Sequence, residues 1–208
     1  MTTDDSLREV FLSGEEVYPG KIIRVEKWQV RLPNGETALR EIVRHNGAAA
    51  IVPVDGQGNV TLVRQHRIAA GRFTWEIPAG KLDSPEEEPF HAAQRELEEE
   101  TGLQAGRWRY LTTIDTTPGF CTERIAIYLA TDLSQHPSHP DADEFLGVTR
   151  MPLAEAAERC MAGELRDSKT VIGLLMAQRA LCASDAACVP ARTTIQRRSA
   201  VPSSHSGK

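Results

Sequence analysis

Apolar residues along this chain recur first with the two-residue period of strands and later with the spacing of helices, with turn residues between the segments. Alternating stretches at residues 22–32 and 37–45 flank Pro33-Asn34-Gly35-Glu36, and an Asn-Gly pair in that position signals a β-hairpin. Residues 48–54 form a continuous apolar run that reads as a buried strand, 55–59 as a turn, and 60–66 as the returning strand. Further strands are predicted at 108–114, 124–132 and 144–150. Phe90, Ala93 and Leu97 then share one helical face. Pro89 suits the first turn of that helix and Gly102 its left-handed stop, which frames about thirteen helical residues. Two more helices are predicted at 153–162 and 168–182. The last carries Val171, Leu174, Leu175 and Cys182 at core spacing, interrupted by Gln178.

This order of elements predicts an α/β sandwich around a mixed sheet. Residues 1–45 make a small antiparallel β subdomain with too few strands to stand alone, so it docks on the main domain or on a second subunit. The main domain spans 46–182. From 183 to 208 the composition turns to Ala, Ser, Thr, Pro and Arg without apolar period, which reads as a disordered tail.

Composition narrows the class. With 208 residues and 40% hydrophobic content, the chain supports one substantial core. A net charge of −5 offers no basic footprint for nucleic acid, and no apolar run is long enough to span a bilayer. Met1 to Asp5 lacks the basic and apolar segments of a secretion signal, so a cytoplasmic location is expected. Cys121, Cys160, Cys182 and Cys188 show no paired spacing and read as reduced thiols without chemistry.

One segment departs from ordinary composition. Arg95-Glu96-Leu97-Glu98-Glu99-Glu100-Thr101-Gly102-Leu103 crowds acids onto one helical turn. At about 100° per residue, Glu96, Glu99 and Glu100 fall within an arc of roughly 100° while Glu98 points away. Like charges at these spacings cost a few tenths of a kcal/mol per pair, which a hard divalent cation such as Mg²⁺ or Mn²⁺ removes. Arg95, four residues before Glu99, can pair with it and fix its rotamer, the kind of support metal ligands use.

With Gly80 upstream, this run resembles the Nudix box: a glycine, a glutamate, then Arg-Glu-apolar-any-Glu-Glu-any-Gly-apolar. Between Gly80 and the first glutamate the spacing departs from the family pattern by one residue. If Glu87 fills that position, an extra residue lies in Asp83-Ser84-Pro85, whose turn chemistry absorbs it; Glu86 is the alternative. Weaker likeness to the ADP-ribose pyrophosphatase branch runs from about Gly20 to Leu181. The resemblance implies a Nudix-type α/β/α sandwich and a homodimer. It also implies metal ligands at Glu96, Glu100 and the carbonyl of Ala79, with Glu99 a further ligand or the residue that orients water, and Pro78 stiffening the loop before Ala79.

No cysteine or serine nucleophile stands out, so the implied reaction is attack of metal-activated water on phosphorus. Glu144, after the polar stretch 134–138, is the candidate general base from a closing loop; otherwise Glu99 serves. Pro118 lies fifteen residues past Leu103, as in ADP-ribose pyrophosphatases, and brings Gly119 and Phe120 into the candidate substrate site. Arg67 resembles the arginine placed on the diphosphate. Arg40 and Glu41 resemble a pair that reaches the substrate, while Trp28, an aromatic in an alternating strand, reads as a core or interface residue, with a place near the adenine as the alternative. The expected substrate is a nucleoside diphosphate sugar, ADP-ribose first, cleaved to AMP and ribose 5-phosphate. The alternatives are a different nucleoside-diphosphate sugar, or an idle nucleotide sensor, which the full set of box acids disfavours.

Overall fold

The computed structural model describes residues 5–137 and 145–184. At the centre lies a four-stranded sheet in the order β7-β4-β9-β8, built from β4 (Ala48–Pro53), β7 (Ala79–Lys81), β8 (Leu103–Asp115) and β9 (Arg124–Gln135). Only the β4–β9 pairing is parallel, so the sheet is mixed. β4 is apolar throughout because both of its faces are covered. Ala49 and Ile51 pack with Ala92, Ala93 and Leu97 of α1 (Pro89–Thr101). Ala50 and Val52 face the opposite cluster with Leu153, Ala156 and Leu174, from α2 (Leu153–Met161) and α3 (Ser168–Ser184). The result is the expected α/β/α sandwich.

A second sheet, β10-β5-β6, places β5 (Asn59–Arg67) between β6 (Arg72–Glu76) and β10 (Gly147–Pro152). β4 leads into β5 through the predicted turn. There the Asp55 side chain accepts from the backbone N–H of Gln57 and Asn59, and Val54 bridges Val60. The helix carrying the acids has the predicted bounds. Pro89 is in its first turn, and Gly102, at φ 68°, closes it by donating its N–H to the Glu98 carbonyl. Only a residue free of Cβ strain takes that conformation cheaply.

The N-terminal unit has three strands where the alternation indicated two. β2 (Arg24–Arg31) and β3 (Thr37–Arg44) form the Asn-Gly hairpin, and β1 (Val10–Pro19) adds an outer antiparallel strand. β1 is exposed along its whole length and irregular in register, so it lacks the alternation that marks a strand with one buried face. Its Val10, Phe11, Leu12, Val17 and Tyr18 are all exposed apolar residues. The unit joins the main domain beside the β8–β9 loop: Val43 N–H donates to the Phe120 carbonyl at 2.7 Å, and Thr122 N–H donates back to Val43 at 2.9 Å. β8 starts five residues before the predicted 108, and α3 continues two residues past Cys182. Glu144, Cys188 and the segment from 185 onward lie outside the described residues. No helix among the described residues is long and apolar enough to cross a membrane.

Candidate active site

α1 presents its acids to the short strand β7, and that contact organises the site. Glu96 and Glu100, one turn apart, are 7% and 4% exposed. The Glu100 carboxylate accepts the Ala79 N–H at 3.0 Å, and the Glu96 carboxylate lies directly over Gly80, where a Cβ would sit 2.0 Å from it. The loop before Ala79 is pinned at each residue. Ile77 N–H donates to Thr170 Oγ1 at 2.9 Å, and the Pro78 carbonyl accepts Ile51 N–H at 2.9 Å.

Arg95 ties the cluster together. Its Nη1 donates to Glu96 Oε1 at 2.5 Å and to Glu99 Oε2 at 3.2 Å, while Nη2 reaches Glu87 Oε1 at 3.4 Å and the Lys81 carbonyl at 3.3 Å. Burial disfavours its charge, but the carboxylates of Glu96, Asp83 and Glu87 outweigh that and raise its pKa. Glu87 therefore faces the box, and it also accepts Asp83 N–H at 2.6 Å. Glu86 instead donates its N–H to Ser84 Oγ. Glu98, half-buried, turns away from the cluster and accepts from Gln104 at 3.0 Å, as its helical angle requires.

Two buried carboxylates beside a pinned backbone segment fit a hard divalent cation, which takes oxygen donors. The residues that would hold it are Glu96, Glu100 and Ala79, with Glu99 flanking. Among the described residues no three acidic, histidine or cysteine side chains are already gathered as a cage. The Arg95 guanidinium stands between Glu96 and Glu99 instead.

Arg67 ends β5, and its pKa is raised chiefly by the Glu76 hydrogen bond, with the charges of Asp167 and, last, Glu100 adding to it, so it lies within electrostatic range of this cluster. Its fork closes on Glu76, Nε to Oε1 at 2.8 Å and Nη2 to Oε2 at 2.6 Å. Glu76 also accepts from Thr74 Oγ1 at 2.6 Å and from the buried Lys169 Nζ. The sequence reading missed this network, which joins residues 93 apart. Its local signals are an acid between Trp75 and Ile77, and an Asp167-Ser168-Lys169-Thr170 helix start in which Asp167 Oδ2 accepts the Thr170 N–H at 3.0 Å.

Burial alone would raise the Glu76 pKa. The Arg67 fork, the charge and hydrogen bond of Lys169, and the Thr74 hydroxyl outweigh it and lower the value from 4.5 to about 2. A depressed folded value contributes stability above the unfolded pKa and loses it as pH falls through the folded one, here from 4.5 toward about 2. Denaturant melts across that range should show this loss in the wild type, and a smaller one in the charge-balanced Glu76→Gln, Lys169→Met variant. Equal acid dependence of the two proteins would contradict the assignment.

The other sequence candidates fall on the N-terminal side. Arg40, on β3, pairs with Glu9, and Glu41 is exposed next to it. Trp28 lies opposite Arg40 in the β2–β3 register, donates to Glu26 at 2.6 Å and stacks edge-on with Phe11. Pro118, Gly119 and Phe120 form the β8–β9 loop that bonds to Val43 of β3. The structure thus links two candidate substrate segments to one another.

Fold and site together define a class: residues 44–171 match the NUDIX domain, and the chain belongs to the Nudix hydrolase family. It is 44% identical to the ADP-ribose pyrophosphatase of Mycobacterium tuberculosis (strain ATCC 25618 / H37Rv) over 168 residues, covering 79% of this chain and 80% of that protein. It is 39% identical to the ADP-ribose pyrophosphatase of Bacillus subtilis (strain 168) over 171 residues, 81% of this chain and 92% of that protein. The crystal structure of an ADP compounds hydrolase superposes with a TM-score of 0.76 at 25% identity, covering 86% of this chain and 97% of that one.

Proposed function

We propose that this chain hydrolyses the diphosphate bond of ADP-ribose to AMP and ribose 5-phosphate, with Mg²⁺ as its cation and Mn²⁺ as a substitute. The observation that carries the reading is the pair of buried carboxylates, Glu96 and Glu100, held against Ala79 and Gly80. The names of the two relatives and of the superposed hydrolase support the substrate class. A cation bound there would neutralise charge on the diphosphate and acidify its water.

The chain's own residues do the rest. Arg67 offers the guanidinium donors that its Glu76 fork leaves over to a phosphate oxygen. Arg95 orients Glu96 and Glu99. Glu99, the more exposed of the box carboxylates, accepts a proton if Glu144, outside the described residues, does not act as base. Residues 1–45 form a unit for substrate and dimer contacts, whose Arg40 and Glu41 border the nucleotide together with the Pro118-Gly119-Phe120 loop of the main domain. The exposed apolar row on β1 supports dimerisation, because a second copy would cover it. Light scattering should give twice the chain mass of 22.9 kDa; a monomeric mass at working concentration would remove the dimer.

The second reading, another nucleoside-diphosphate sugar, leaves the carboxylate chemistry intact and changes only the groups bordering the leaving sugar. Turnover of ADP-ribose beside UDP-glucose, GDP-mannose, NADH and diadenosine polyphosphates separates the two. Highest kcat/KM on ADP-ribose supports the first reading, and a different preferred sugar transfers it to the second.

A further inference from the structure

Arg67 is nearly half exposed, yet the acid that grips it is 2% exposed. Glu76 uses both oxygens on the arginine fork, which occupies Nε–H and one Nη2–H and leaves three N–H groups outside the fork. Behind it, Lys169 is 8% exposed and reaches both Glu76 and Asp167, the latter at 3.1 Å, while Thr74 adds its hydroxyl. Asp167 Oδ2 also accepts Thr170 Oγ1–H at 2.6 Å, and Thr170 in turn takes the Ile77 N–H. One buried scaffold thus reaches both Arg67 and the loop leading to Ala79.

Such a network is weak as a device for stability, since apolar residues of the same volume often stabilise a core as well or better. What an apolar replacement lacks is control of a guanidinium plane. A fork-to-fork carboxylate fixes that plane, and two further bonds, from Thr74 and Lys169, fix the carboxylate.

We propose that Glu76 is a positioning residue, with Lys169 as its buried counter-cation, that holds the Arg67 guanidinium in the orientation required to bind the substrate diphosphate. This rests on Arg67 being the diphosphate ligand of the proposed function. Glu76 acts through Arg67 and touches neither substrate nor cation.

The test is a double-mutant cycle on kcat and KM for ADP-ribose with Glu76→Gln, Arg67→Ala and the double variant, all checked for folded structure by circular dichroism. Glu76→Gln leaves two cations facing an uncharged amide, so the charge-balanced Glu76→Gln, Lys169→Met variant takes its place in the cycle if the single one does not fold. Either should raise KM about tenfold with a smaller change in kcat, and neither should weaken binding further once Arg67 is alanine. A full additional loss on top of Arg67→Ala would overturn the proposal, because Glu76 would then act independently of Arg67. So would an unchanged KM in the Glu76 variants while Arg67→Ala raises it. An Arg67→Ala protein with unchanged KM would refute the diphosphate role of Arg67 itself and take the role of Glu76 with it, an outcome distinct from the other two.

Discussion

Glu100→Gln should lower kcat by about 10³-fold while leaving the fold in place, several kcal/mol of transition-state stabilisation being what a cation's ligand supports. The substitution keeps the side-chain volume and removes the charge. Glu100 is 4% exposed and accepts the Ala79 N–H, an interaction the amide oxygen of glutamine can also make. Stability should therefore change little. Glu96→Gln should behave similarly but lose stability as well, because Arg95 Nη1 bonds to its carboxylate. Steady-state turnover with circular dichroism on the same samples checks both statements. A Glu100→Gln enzyme with near-normal kcat would remove Glu100 from the ligand set.

Gly80→Ala should cost about 10²-fold in activity with a small effect on stability. The new Cβ would meet the Glu96 carboxylate at 2.0 Å, far inside contact distance. A carboxylate at the end of a flexible side chain moves away at little expense to the fold, but it then leaves its place beside Glu100. Displacement of a reacting group's partner by about 1 Å is enough for a loss of this size. Thermal melting close to that of the wild type, combined with reduced kcat, is the expected pair of results. Full activity would mean that the position of Glu96 over Gly80 is unimportant to catalysis.

Much of this architecture was legible because its signals are local. Pro89, Gly102 and the Phe90-Ala93-Leu97 stripe fix α1 within a few residues of chain, and the helix runs over Pro89–Thr101 as they require. The segregation of Glu96 and Glu100 from Glu98 follows from helical angle alone. Where a signal was ambiguous between neighbours, packing distinguishes them and supports Glu87: it meets Arg95, and Glu86 does not. β1 escaped notice since neither of its faces is buried and its residues show no period. The Glu76–Lys169 pair escaped because burial of opposite charges brought together from distant segments leaves no periodic trace. The candidate substrate residues had only their strand positions to argue from, and Arg40 meets Glu9, a partner with no sequence signal.

The most direct test is release of AMP from ADP-ribose by the full chain, measured with Mg²⁺ and again after chelation. The account predicts rapid, saturable release with Mg²⁺ that disappears on chelation and returns when Mg²⁺ or Mn²⁺ is added back. Release that is indifferent to chelator, or no release under either condition, would contradict it.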